Sequence, residues 1–179
     1  ESNMNLASGA APVSRYLKQG LRVGLASDLA GGSSLNLFQA MAHAVQVSKL
    51  RWRLLDQQTP PLTFDQAFYL ATLGGGRFFG SVGTFADGYQ FDALVLDDSC
   101  YPSVLPLTIE QRVERLAYLS EPSCLVAKFI SGKEWSESHA NSLLLEPAGV
   151  QQEAFRGRPS PAPQSGFRRA CYFSSNMLY

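Results

Sequence analysis

The sequence predicts an α/β protein in which strand–helix units of a parallel sheet are followed by a smaller β-rich part. Three observations carry that reading. Leu21–Ala26 is a nearly continuous apolar run with only Arg22 charged, the pattern of a strand buried on both faces. It runs into Asp28 and the turn Gly31-Gly32-Ser33-Ser34, and a carboxylate where a buried strand meets a glycine-rich loop is where a parallel α/β barrel keeps its chemistry. From Gly83 onward the apolar period falls to two, the period of a sheet with one buried face.

Each element follows from local pattern. Ala11–Lys18 is a short helix with Pro12 near its first turn, stopped by Gly20. After the Leu21–Ala26 strand, Ser33 or Ser34 can cap a long helix reaching about Leu55. Its apolar positions Leu37, Phe38, Met41, Val45 and Trp52 fall at helical spacing, and Lys49, Arg51 and Arg53 sit at the end where cations suit the helix dipole. Gln57–Pro61 is a loop. Thr63 and Gln66 form a capping box, opening a helix with Phe64, Ala67, Phe68 and Ala71 on one face and Gly74-Gly75-Gly76 at its end. Arg77–Gly80 is a further helical turn. Phe91–Leu96 is a strand between Gly88 and Asp97-Asp98, the latter being most simply a solvated strand end. Thr108 and Gln111 form a second capping box before an amphipathic helix with Val113, Leu116, Ala117 and Leu119. Cys124–Ser131 is another strand, turned by Gly132-Lys133. From Ser138 onward Pro147, Pro159, Pro161 and Pro163 are scattered without period, so 138–179 is expected to be an irregular, largely disordered tail.

Composition bounds the function classes. A length of 179 residues accommodates one domain with a real core, domains running to roughly 100–200 residues. With 15 Lys+Arg against 15 Asp+Glu there is no electrostatic pull toward nucleic acid, and no basic stripe with interleaved aromatics. No apolar run approaches the ~20 residues of a bilayer span, so no membrane partner is expected. The opening residues lack the regions of a signal peptide, and a chain opening on Glu1 is expected to have its true start upstream. Cys100, Cys124 and Cys171 have no metal-ligand spacing and no paired framework, which suits free thiols in a reducing cytosol.

Among chemistry-bearing residues Asp28 stands first. A carboxylate at the end of a buried strand costs desolvation unless a metal, a cation or several donors meet it. The competing reading is a turn or capping aspartate supported by Gly31 and Gly32, and pattern alone leaves both open. The Gly31–Ser34 turn lacks the lysine of a P-loop and the spacing of a dinucleotide fingerprint, so a tight turn outweighs a phosphate cradle. His43 has no histidine or acid at metal-helix spacing and reads as a packing residue, and His139 lies in the loose tail. Ser2-Asn3 could bring an amide to the same face.

In order along the chain, Ser2–Gly9 (SNMNLASG), Val23–Gly32 (VGLASDLAGG), Ala71–Gly75 (ATLGG) and Phe91–Leu96 (FDALVL) resemble consecutive landmarks of the guanine deaminases, a family of the metal-dependent amidohydrolase superfamily. The series spans about residues 1–135, and Asp28-Leu29-Ala30-Gly31-Gly32 favours that family over sister deaminases acting on other aminopurines or triazines. The resemblance implies a (β/α)8 TIM-type barrel of which this chain holds the end. Residues 1–82 would carry the tail of strand seven, strand eight ending at Asp28, and their helices. Residues 83–137 would be the C-terminal contribution to a small β-sandwich.

It further implies that Asp28 matches the family's strand-eight aspartate, a zinc ligand and catalytic proton shuttle. The implied reaction is hydrolytic deamination of guanine to xanthine and ammonia, in a cytoplasmic enzyme of purine catabolism whose full-length parent is a homodimer. The His-x-His strand, the further histidines, the catalytic glutamate and the guanine-gripping arginine have no counterpart here, so the chain alone is expected to be inactive. Ala26-Ser27 stands where Gly-Thr is common, and 138–179 matches nothing in the family. A sister deaminase and a non-catalytic binding or assembly module are the competing readings.

Overall fold

The computed structural model describes residues 1–28, 30–119 and 122–135, with the backbone of 170–173. Helices come first: α1 (Ser2–Asn5), α2 (Val13–Lys18), α3 (Leu37–Leu54) and α4 (Phe64–Tyr69), the last running directly into a π-helical turn, Leu70–Gly74. Then β1 (Ala93–Asp97) leads to α5 (Ile109–Leu119) and a 3-10 turn at Pro122–Cys124, followed by β2 (Leu125–Ile130), β3 (Lys133–Glu134) and β4 (Ala170–Phe173). The strands form one sheet in the order β3-β2-β1-β4. All three pairings are antiparallel, with a register irregularity between Val95 and Leu96 where β1 faces β2.

Both capping boxes form. Thr63 Oγ1 accepts from Gln66 N at 3.2 Å while Gln66 Oε1 accepts from Thr63 N at 3.1 Å. Thr108 and Gln111 repeat the exchange at 3.3 and 3.0 Å, so two of the orphan donors at each helix start are satisfied locally. The cap of α3 is not Ser33 or Ser34. Asn36 takes that place, its Oδ1 accepting from Phe38 N at 2.9 Å, because Ser34 is spent holding Asn36 N at 3.1 Å.

The largest departure from the sequence reading is at Leu21–Ala26. It is not a strand: it pairs with no other strand among the described residues, Leu21 is exposed, and Val23 and Leu25 are half-buried. A parallel strand takes its hydrogen bonds and two-faced burial from neighbours on either side. Here the segment lies on the π-helical turn instead, where Leu25 N donates to Leu70 O at 3.0 Å, the same carbonyl that receives the Gly75 N–H. The glycines are what permit the approach, since a Cβ on Gly24 would meet Gly75 Cα at 3.0 Å. Gly74-Gly75-Gly76 therefore does not end the helix as a C-cap; it widens and prolongs it against the Val23–Leu25 backbone.

One apolar cluster joins both halves. Phe38, Met41 and Val45 of α3 meet Leu70 and Ala71, and the same cluster takes in Leu94 and Leu96 of β1 and Val113, Leu116 and Ala117 of α5. Within that cluster α5 packs on the face of α3 that its 3.6-residue pattern marks as apolar. The 138–179 tail lies outside the described residues except for β4, which adds a strand to β1 where the sequence shows no sustained periodicity.

Candidate functional site

Asp28 stands at the end of the 21–28 segment with φ +56°, the left-handed conformation that Asp and Asn tolerate better than other non-glycine residues. Its carbonyl accepts from Gly31 N at 3.1 Å and Gly32 N at 2.6 Å, closing the turn beneath the side chain. The carboxylate lies over Gly31, so close that a Cβ there would come within 2.8 Å of Asp28 Oδ2. The side chain is exposed, and no ion pair engages its carboxylate among the described residues. An exposed, unspent carboxylate fits the role of a single oxygen ligand to a metal or of a proton carrier. Among the described residues, no group of three His, Cys, Asp or Glu side chains could hold a metal ion.

The turn under Asp28 is held from the N-terminal side. Asn5 Nδ2 donates to Gly31 O at 2.9 Å, and Ser33 Oγ donates to the Glu1 carboxylate. That hydrogen bond, more than the nearby His43, keeps the Glu1 carboxyl below the usual glutamate range. His43 Nδ1 lies 3.4 Å from Glu1 Oε2, an ion pair only when the imidazole is protonated. His43, whose Nδ1 is buried and makes no hydrogen bond among the described residues, thus faces a carboxylate at the far end of a Ser33–Glu1–His43 chain of polar groups. Glu1 is distant from His43 in sequence, so helical spacing could not reveal it. The amide that reaches the turn is Asn5, two positions beyond Asn3, whose amide the sequence allowed on this face without singling it out. A cavity of about 130 Å³ lies beside this chain, lined by Glu1, Ser27, Ser34, His43 and Ser48 among others, and Asp28 is not in its wall.

Gly32 is the tightest point of the turn, since a Cβ there would overlap the Ser27 carbonyl oxygen and lie 3.0 Å from Asp28 O. Gly32→Ala is expected to cost about 1–3 kcal/mol, the usual price of forced overpacking, and to lower the urea midpoint with the slope unchanged. A midpoint equal to that of the parent sequence would show that the turn has room to spare.

The Asp97-Asp98 pair is not a solvated strand end. Asp97 makes an Asx-type contact to Ser99 N at 2.8 Å, but Asp98 is buried and binds two guanidinium groups. Arg112 Nε and Nη2 donate to its two oxygens at 2.8 and 2.7 Å, and Arg115 Nη2 adds a third bond at 3.0 Å. These bonds, those from Arg112 foremost, outweigh burial and hold the Asp98 carboxyl below the usual aspartate range. The spacing of Arg112 and Arg115, three apart on α5, is the one signal in the sequence that could have pointed to a shared acid.

Residues 1–135 match the profile of the amidohydrolase family. Among solved structures, the chain is similar to the guanine deaminase of C. acetobutylicum crystallised with guanine bound in its active site. The identity is 42% and the TM-score 0.69, over 74% of this chain and 32% of that one. Guanine deaminase of Dictyostelium discoideum is 30% identical over 140 residues, covering 74% of this chain and 31% of its own length. A 5-methylthioadenosine/S-adenosylhomocysteine deaminase of Syntrophus aciditrophicus is 36% identical over 137 residues, covering 74% of this chain and 29% of its own. The chain spans about a third of the length of the curated relatives it matches.

Proposed function

This chain belongs to the amidohydrolase family, and we propose that it is the C-terminal portion of a zinc-dependent guanine deaminase. In this reading 1–82 are the end of the (β/α)8 barrel and 83–137 a contribution to the flanking β-sandwich, within a cytoplasmic, homodimeric parent. What supports it most is the 42% identity to an enzyme crystallised with guanine, together with Asp28 standing exposed and unspent where a barrel's strand eight would end. The exposed side chains of Leu21, Phe78 and Phe79, and the unpaired edge of the 21–28 segment, are surfaces that further barrel strands would cover.

The chemistry assigned to this chain is confined to Asp28. Zinc, with Asp28 as one ligand and the others from outside the chain, supplies an acidified water when bound. At this position the Asp28 carboxylate would act as the proton carrier, accepting a proton on the attacking side and returning it to the amine that departs as ammonia. The Gly31–Ser34 turn, fastened by Asn5 and Glu1, holds the carboxylate in place through this exchange.

The test uses the product of the whole open reading frame, supplied with zinc and assayed for guanine loss and xanthine formation. Turnover of guanine with bound zinc is the expected result, and the 179 residues alone should give none. Preference for a thioadenosine would move the protein to the sister deaminases. Zinc-free protein with no deamination of any aminopurine would leave a binding or assembly module.

A further inference from the structure

Two thiols meet at one end of the β1–β2 pair. Cys124 immediately precedes β2, whose Leu125 stands opposite Leu96 of β1, and Cys100 follows β1 through a turn closed by Tyr101 N to Asp98 O at 3.0 Å. Register and turn together bring residues 24 positions apart to a Sγ–Sγ distance of 3.7 Å. That is non-bonded contact, and a disulfide at ~2.0 Å requires the sulfurs to close by roughly 1.7 Å. Cys100 sits in an exposed loop position, where side-chain rotation can supply that movement, whereas Cys124 is buried.

We propose that Cys100 and Cys124 form an intramolecular disulfide under oxidising conditions, a modification site that ties the end of β1 to the start of β2 across α5. The exposure of the two thiols sets the order of events. The Cys100 thiol, as its thiolate, attacks a low-molecular-weight disulfide such as oxidised glutathione, and one glutathione leaves with the electron pair of the broken S–S bond and a proton. Cys124 then attacks Cys100 Sγ, the second glutathione leaves, and the oxidant has taken two electrons from two thiols. Local desolvation of its sulfur first, and the Cys124 thiol beside it, push the Cys100 thiol above its ordinary range, which slows its attack. The closed loop contains α5, so the bond constrains the unfolded chain.

The experiment treats the reduced full chain with oxidised glutathione, traps remaining thiols with an alkylating agent, and maps peptides by mass. The expected product is lighter by two hydrogens, has lost two of its three thiols, links the Cys100 and Cys124 peptides, and melts several degrees higher. Cys124→Ser should stop at a glutathione adduct on Cys100, and Cys100→Ser should leave Cys124 unmodified. Chain unfolded in guanidinium should scramble among Cys100, Cys124 and Cys171. A lasting glutathione adduct on unmutated Cys100, pairing of either cysteine with Cys171 in the folded chain, or the same pairing selectivity in guanidinium would each overturn the proposal.

Discussion

Asp28→Asn is expected to lower kcat for guanine by about 10³-fold or more in the zinc-loaded whole protein, with the fold intact. General acid–base groups contribute roughly 10²–10⁴-fold, and here the same carboxylate is also assigned to the metal. Asparagine suits the test because it keeps the side-chain volume and tolerates the φ of +56° that Asp28 adopts. The Asp28 carbonyl, which closes the turn through Gly31 N and Gly32 N, is untouched. Thermal midpoint and circular dichroism should therefore match the parent while turnover collapses and zinc content falls. Asp28→Glu keeps the charge but displaces it by one methylene, and should retain more metal than Asn while recovering little kcat. Turnover of the Asn variant within tenfold of the parent would return Asp28 to the turn-aspartate reading.

The largest effect on stability is expected at Asp98. Its side chain is 1% exposed and is shared by Arg112 and Arg115, whose side chains are 15% and 19% exposed. Asp98→Ala removes the carboxylate that two largely buried guanidinium groups share, a change of about 3–5 kcal/mol for a buried pair. At roughly 2–4 °C per kcal/mol for a chain of this size, the thermal midpoint should fall by about 10 °C. Asp98→Asn, which can still accept hydrogen bonds, should lie between. The pH dependence has a definite sign. The folded carboxyl titrates below its unfolded value of about 3.9, so its contribution is fully present above that pH. It is lost as pH falls through the lower folded value. The parent's urea midpoint should therefore drop more steeply than that of Asp98→Ala below about pH 4, the two curves converging. Parallel curves, or a loss under 1 kcal/mol, would show that the two arginines find other partners at no cost.

Much of the local architecture was legible. The helix read at Ala11–Lys18 forms at Val13–Lys18, the one read from the Ser33-Ser34 turn to about Leu55 forms at Leu37–Leu54, and both capping boxes form, since their donors must be satisfied within three residues. The Phe91–Leu96 and Cys124–Ser131 runs shift by only one or two residues to Ala93–Asp97 and Leu125–Ile130. What pattern misjudged depends on partners far away in sequence. Asp98 reads as a solvated strand end until Arg112 and Arg115 swing across it. His43 reads as packing until Glu1 arrives, and Gly74–Gly76 as a stop until the Val23–Leu25 backbone is laid against it.

The sequence by itself determined the helices from α2 to α5, the two capping boxes, the apolar face of α3 and the position of Asp28 at the mouth of a glycine turn, because each is set by interactions within a few residues. Only the tertiary structure decided that Leu21–Ala26 is an unpaired segment resting on a π-helical turn, that one core unites α3 with β1 and α5, and that Asp98 is a buried anion between two arginines. Hydrogen bonds between strands and pairs between buried charges belong to neighbours in space, and periodicity along the chain carries no record of them.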